Sequence, residues 1–89
     1  AYVSSRKRKG FGPKKISFEL ISKGVSESIT NKAITEEGGW SKAAKQVFVK
    51  KFKNGKNSDA KDILKQKTFL QNRGFGFKEI ESVFGDDML

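Results

Sequence analysis

The sequence predicts an all-α fold made of two tandem three-helix repeats, and three observations support this prediction. Apolar residues recur at spacings of three and four along most of the 89 residues, which is the period of amphipathic helices. Glycine, proline and capping residues stand at the ends of these stretches. A corner motif then occurs twice. Its first copy is Leu20, Lys23-Gly24-Val25 and Ile29, and its second copy, with one residue inserted, is Leu70, Arg73-Gly74-Phe75 and Ile80.

The first repeat is predicted to span residues 1–38 and to contain three helices. A helix over about residues 1–9 comes first. The second helix covers about residues 13–23, because Pro13 suits a first helical turn and Gly24 follows as a terminating residue. Ser26 can cap the third helix, which Gly38-Gly39 ends.

The second repeat is predicted to span residues 39–89. Ser41 is expected to cap its first helix, which extends to about residue 53. A polar Gly/Asn turn covers residues 53–58, and Ser58 or Asp59 then starts a helix that ends near Gly74. A last short helix stops at Gly85. Together the six helices would form a short, elongated tandem.

Apolar stripes of these helices predict a small core. Its expected members are Ile16, Leu20, Ile29, Val47, Phe48, Leu64, Leu70, Ile80 and Phe84. Phe11, Phe75 and Phe77 could stack on nucleic-acid bases, but burial between helices is favoured for aromatic residues in so small a core.

Composition excludes several classes of protein. The chain has no cysteine and no histidine, so it cannot form a zinc knuckle, a disulfide framework, a thiol nucleophile or a His-centred catalytic group. No apolar run approaches the roughly 20 residues of a membrane span, and no signal peptide is evident. We therefore expect a cytoplasmic protein that has no membrane partner. The first residue is Ala1 and not methionine, and the sequence starts in what is predicted to be the middle of a helix. We therefore expect it to be a piece of a longer chain.

Neither an enzyme nor a bound cofactor or metal is expected. Gly10-Phe11-Gly12-Pro13 lacks the third glycine of a dinucleotide loop and the Gly-Lys-Ser/Thr end of a P-loop. Glu36-Glu37 and Asp86-Asp87 are pairs of adjacent carboxylates. Because adjacent residues on a helix point to different faces, neither pair is expected to form a shared acid/base site. Residues 73–77 match the start of an RNA recognition motif signature, but the helical pattern before them leaves no place for the required strand.

The net charge of +9 is concentrated in two segments. It divides into +6 for residues 1–15, −2 for 16–41, +7 for 42–67 and −2 for 68–89. Two separate cationic segments favour a polyanionic partner, most simply nucleic acid, or an acidic protein surface. The alternative is that the lysines only solvate helix faces.

Ten residues of the two cationic segments are candidate contacts with a polyanion. They are Arg6, Lys7, Arg8, Lys9, Lys14, Lys15, Lys50, Lys51, Lys53 and Lys56. Arg73 is instead expected to have a structural role, because a cation suits the C-terminal end of a helix.

Two motifs of the chain resemble the second and third repeats of the bacterial RecX proteins. The first motif comprises Arg6 to Gly12 with Pro13, Ile16, Glu19-Leu20 and Lys23-Gly24-Val25. The second comprises Trp40-Ser41-Lys42-Ala43, the Lys-Lys-Phe-Lys run at 50–53, Lys65-Gln66-Lys67 and residues 69–75, followed by Gly76 where the family has serine. The resemblance covers essentially the whole chain, and it implies that the family's N-terminal repeat would precede Ala1.

This resemblance implies a negative regulator of the RecA recombinase. RecX proteins bind the RecA filament on single-stranded DNA and suppress its growth, ATP hydrolysis, strand exchange and stimulation of SOS repressor cleavage. The implied partners are the RecA filament and single-stranded DNA, with double-stranded DNA left open, and the chain is expected to be monomeric. Two alternatives remain: a basic helical DNA-binding module that acts without RecA, and a structural fragment with no partner of its own.

Overall fold

A computed structural model describes residues 1–85 of the chain. These residues form six helices and no strand, in the order α1 (Tyr2–Arg8), α2 (Pro13–Ser22), α3 (Glu27–Glu37), α4 (Trp40–Lys51), α5 (Ala60–Asn72) and α6 (Phe77–Gly85). The prediction of an all-α protein is therefore confirmed. Asp86 and Asp87, which the sequence places after the last helix, lie outside the described residues.

The helix ends follow from local capping chemistry, and most were predicted. Pro13 occupies the first turn of α2, the Ser26 hydroxyl caps α3 by accepting from the Ile29 N–H at 3.2 Å, and Asp59 caps α5. The prediction that Ser41 caps α4 is wrong, because α4 already begins at Trp40. The positive φ angles of Gly38 and Gly39 turn the chain one residue earlier.

The repeated corner has the same backbone geometry in both copies. Gly24 and Gly74 have φ angles of +94° and +103°, which favour glycine. The N–H of the next residue donates to a leucine carbonyl in each case, Val25 to Leu20 at 3.0 Å and Phe75 to Leu70 at 3.2 Å. The predicted insertion in the second copy is wrong: α3 and α6 start in the same register after the corner, so Thr30, not Ile29, corresponds to Ile80.

The main core lies in the second half of the chain. Its buried residues are Ala43, Ala44, Phe48, Leu70, Phe75, Ile80 and Val83. The Phe48 ring lies 5.1 Å from Phe52 and 5.4 Å from Phe84, measured between ring centroids. In the first half fewer side chains are buried: Val3, Ile16 and Thr30.

Four of the nine predicted core residues are buried, namely Ile16, Phe48, Leu70 and Ile80. Leu20 is half-buried, and the half-buried Val47 and Phe84 pack against the main core. The prediction is wrong for Ile29 and Leu64, whose exposed fractions are 61% and 64%. The buried stripes of α3 and α5 instead pass through the polar residues Thr30 and Gln66, which an apolar pattern does not reveal.

The extensive helix contacts are made within each half of the chain, so the molecule is an elongated tandem of 42 × 23 × 19 Å. The halves join where the loop between α1 and α2 meets the corner of the second half. The Gly12 N–H donates to the Arg73 carbonyl at 2.7 Å, and the Lys14 N–H donates to the Gly74 carbonyl at 2.9 Å. Because these are backbone contacts, they fix how α1 lies relative to α4 and α5. The residue at which one repeat gives way to the next stays a prediction.

Candidate polyanion-binding cleft

A cleft of about 540 Å³ opens between α1, α4 and the C-terminal end of α5. Its floor is partly apolar and includes Ala43, Val47 and Phe69. Its cations come from both basic segments and from the corner of the second repeat: Lys7, Arg8, Lys9, Lys50, Lys51 and Arg73. The cleft also contains one carboxylate, that of Glu37, which forms an ion pair with Lys7.

The α1 side of the cleft is held by Lys7. Its ammonium group donates to the Gly38 carbonyl at 2.9 Å and to the Glu37 carboxylate at 3.2 Å, and it lies 5.5 Å from the centre of the Trp40 ring. These contacts tie α1 to the turn before α4. Arg8 and Lys9 follow at the C-terminal end of α1 and are exposed.

The α4 side of the cleft carries Lys50 and Lys51 in the last helical turn, one turn after Val47. Both side chains are exposed. The Lys51 ammonium lies 5.4 Å from the centre of the Phe69 ring on the floor of the cleft. Cations near the C-terminal ends of α1 and α4 are also favoured by the helix dipoles.

Arg73 links the α1 side of the cleft to Phe69 on its floor, a role that the sequence reasoning missed by assigning Arg73 only to the helix end. Its guanidinium donates to the Lys9 carbonyl at 3.1 Å and lies 4.7 Å and 5.8 Å from the ring centres of Phe11 and Phe69. The sequence offered one signal, since a basic residue, Lys23, stands at the same place in the first corner; in the structure it also lies over an aromatic ring, that of Tyr2.

Five of the ten predicted contact residues therefore meet in the cleft, whereas the other five lie elsewhere. Lys14 and Lys15 begin α2, and the Lys15 ammonium lies 5.3 Å from the centre of the Phe11 ring. Lys53 and Lys56 belong to the loop between α4 and α5. That loop is held by the buried Gln66, whose side-chain amide bonds the Asn57 N–H and the Gly55 carbonyl, both at 3.2 Å.

Arg6 is directed away from the cleft and into an ion pair. Its guanidinium donates to both carboxylate oxygens of Glu19, at 3.0 and 2.7 Å, and stacks 4.1 Å from the Phe11 ring centre. The Arg6 hydrogen bonds lower the pKa of Glu19 below its ordinary value. The hydroxyl of Tyr2 donates to the same carboxylate at 2.8 Å, which raises the pKa of Tyr2.

The cleft is suited to binding phosphates by charge and hydrogen bonding. Lysine and arginine on both walls can each face a phosphate group of a nucleic-acid strand, while Val47 and Phe69 offer apolar surface between them. Among residues 1–85 there is no group of three or more acidic, His or Cys side chains that could hold a metal ion. No helix in this part of the chain is long and apolar enough to cross a bilayer.

Fold and cleft together define a class: a basic tandem of three-helix domains with a cationic groove at the domain junction. Family comparisons specify it further. Residues 1–34 match the family model for the second three-helix domain of RecX, and residues 41–84 match that for the third. The chain belongs to the RecX family, as the motifs of its sequence indicated.

Individual relatives carry the same assignment. The chain is 39% identical over 87 residues to the regulatory protein RecX of Serratia proteamaculans, covering 97% of this chain and 52% of that protein. It is 41% identical over 80 residues to the regulatory protein RecX of Vibrio vulnificus, covering 89% and 52%. The chain thus spans about half the length of these relatives. No solved structure gives a significant match to it.

Proposed function

We propose that the chain is part of a negative regulator of the RecA recombinase. It would bind the RecA filament on single-stranded DNA and suppress filament growth, ATP hydrolysis and strand exchange, and so modulate recombinational repair and the SOS response. Residues 1–38 and 39–89 would be the second and third repeats of such a regulator. The bacterial cytoplasm, where DNA and RecA reside, would be its location.

The observation that carries this proposal is the joining of two basic segments in one cleft of a RecX-family chain. Lys7 to Lys9 and Lys50 to Lys51 are far apart in sequence but line the same cleft. Such an arrangement binds a phosphate backbone more strongly than scattered lysines, since several counterions are released together. The elongated shape supports binding along a filament groove. The protein would act as a binder, with no reaction of its own, and as a monomer.

The test is the single-stranded-DNA-dependent ATPase rate of RecA while the chain is titrated at fixed salt. We expect the rate to fall at substoichiometric amounts of the chain. Lys50→Ala/Lys51→Ala should weaken the inhibition. The control Lys32→Ala/Lys42→Ala, which removes two exposed lysines outside the cleft, should not.

The alternative function is a basic helical module that binds DNA without RecA, and the cleft itself favours it because its chemistry needs only phosphates. An unchanged ATPase rate, alongside retained binding to bare DNA, would support this alternative. The chain should then be fused to the part of the Serratia relative that it does not cover. If the fusion also leaves the ATPase rate unchanged, the proposal of a RecA regulator is contradicted.

A further inference from the structure

A second groove, of about 600 Å³, lies on the side of α5 opposite to the cleft. Phe69 of α5 and Arg73, the residue after its last turn, line the cleft, whereas Leu64, Thr68 and Gln71 line this groove. At 3.6 residues per turn the two sets lie on opposite faces of the helix. The groove is therefore a separate surface, and it is bounded on its other sides by α6 and the start of α2.

The groove presents apolar side chains to solvent. Phe77 and Leu64, with exposed fractions of 79% and 64%, flank it, and the buried Phe75 and Ile80 lie behind them. A single exposed apolar residue is common on protein surfaces. Two large ones that converge on one groove are typical of a binding surface.

Most polar groups around the groove already have partners within the chain. The Thr68 hydroxyl donates to the Leu64 carbonyl at 2.8 Å, and Lys67 pairs with Glu81 at 3.1 Å. The Glu79 carboxylate accepts from the Gly76 N–H at 2.7 Å, so this amide at the start of α6 is already satisfied. These features disfavour a phosphate ligand and favour an apolar one.

The apolar surface continues onto the first half of the chain. Lys14 lines the groove, and Phe18 and Ile21 follow it on α2 at i+4 and i+7, which places all three on one face. Phe18 is 72% exposed and Ile21 is also exposed. The buried Ile16 holds the opposite face of α2 against the protein. The surface thus extends across both halves of the chain.

We propose that this groove docks an amphipathic helix of another protein, with apolar residues along one face and carboxylates beside them. Leu64, Thr68 and Gln71 follow two turns of α5, about 10 Å, which suits a helix laid in a groove. The described residues offer no strand edge for an extended peptide. Lys14 at the rim favours carboxylates on the partner, and the net charge of +9 opposes a second copy of this chain.

The inference does not depend on the proposed function, and its test needs no RecA. The probe is a designed, stapled helical peptide with leucines at i, i+4 and i+7 and glutamates at most other positions. Its binding is followed by fluorescence anisotropy, and its site by amide chemical shifts. A scrambled peptide, with the same residues but no apolar face, is the control ligand.

We expect the peptide to bind and to shift the amides of Leu64, Gly76 and Phe77. Phe77→Asp and Leu64→Asp should each weaken binding at least tenfold, whereas Ile29→Asp, which adds the same charge at another exposed apolar site, should not. Both groove positions are exposed, so the variants should fold, which a thermal melt checks. If one of the two variants does not fold, the other still tests the groove.

Several results would overturn the inference. These are no binding at millimolar peptide, equal binding of the scrambled peptide, equal binding by the two groove variants and Ile29→Asp, or amide shifts confined to the cleft around Gly10 and Val47. A further one is that Phe77→Asp weakens binding of an oligothymidylate while leaving peptide binding unchanged, since the groove would then be a nucleic-acid site.

Discussion

The backbone N–H of Gly12 donates a 2.7 Å hydrogen bond to the carbonyl oxygen of Arg73, and the two halves of the chain meet at this point. The neighbouring bond from the Lys14 N–H to the Gly74 carbonyl, at 2.9 Å, makes the contact two-pronged. Phe11, between these elements, is stacked by the guanidinium groups of Arg6 and Arg73. A backbone contact therefore positions the two walls of the cleft, together with the side-chain contacts of Lys7 and Arg73.

Substitution of Gly12 should destabilise this junction. A Cβ atom at Gly12 would lie within 2.5 Å of the Phe75 nitrogen and 2.6 Å of the Gly74 oxygen, and these backbone atoms cannot turn aside as a side chain can. The φ angle of Gly12 is −91°, which any residue adopts, so the effect is purely steric. We expect Gly12→Ala to lower the free energy of unfolding by about 1–3 kcal/mol, measured by urea denaturation.

The matched control is Gly85→Ala. A Cβ atom there would meet no atom of residues 1–85 within 4 Å, and the residue is helical. This substitution should leave stability unchanged or raise it by up to about 1 kcal/mol. If Gly12→Ala unfolds at the same urea concentration as the wild-type chain, the junction does not contribute to stability.

Much of the fold could be predicted from local chemistry. Pro13, Ser26 and Asp59 act at helix ends through their own backbone or side chains, so their roles can be read from the sequence. The corner at Gly74 could be predicted from its repetition at Gly24. The prediction for Ser41 was wrong because a serine can cap a helix only if the chain before it is not already helical. Gly38 and Gly39 turn the chain so that the helix begins at Trp40, before the serine.

The candidate site could be predicted only as two separate basic segments. That Lys9 and Lys50 line one cleft depends on the contact between Gly12 and Arg73, which no local pattern encodes. Leu64 shows the opposite case, in which a clear local pattern predicts the wrong burial. Its place in the apolar pattern of α5 predicted burial, but tertiary packing buries Gln66 instead, because this side chain bonds the backbone of the loop before α5.

The cleft lysines should determine the salt dependence of binding to single-stranded DNA. Lys50→Ala/Lys51→Ala removes two exposed cations from one wall, so fewer counterions are released on binding. We expect weaker binding and a slope of log K against log salt that is smaller by about 1.4, at roughly 0.7 per lost phosphate contact. Fluorescence anisotropy with an oligothymidylate at several salt concentrations measures both quantities.

Lys32→Ala/Lys42→Ala serves as the control, because it removes the same charge from exposed positions outside the cleft. Its slope should stay close to that of the wild-type chain. Equal slopes for the two double variants would show that the lysines act only through the overall charge. The cleft would then not be the binding site for single-stranded DNA.

Even the conservative substitution of Arg73 by lysine should lower the stability of the fold. A guanidinium is planar, so it can lie over Phe11 and Phe69 while it donates to the Lys9 carbonyl, whereas an ammonium group cannot reproduce this geometry. We expect Arg73→Lys to lower the free energy of unfolding by about 1–2 kcal/mol. Arg8→Lys, at an exposed position of the same cleft, should be close to neutral. Equal stability of both variants in urea denaturation would contradict this role.

Glu19 should give the fold a measurable dependence on acid pH. Hydrogen bonds from Arg6, at 3.0 and 2.7 Å, are the main reason why the pKa of Glu19 is lowered in the folded chain. The folded state therefore binds this proton less readily than the unfolded state, where the pKa is about 4.3. The stabilisation is complete above that value and is lost as the pH falls through the lower pKa of the folded state.

Glu19→Gln separates this contribution from the rest of the acid response, because glutamine keeps the shape but cannot lose or gain the proton. The variant should be less stable than the wild-type chain at pH 7, and the difference should shrink as the pH is lowered from about 5 to about 3. Glu36→Gln, at an exposed position on α3, should keep the wild-type profile. Urea denaturation at each pH measures the three profiles. A difference between Glu19→Gln and the wild-type chain that stays constant across this range would show that the Arg6 pair is not what couples folding to pH.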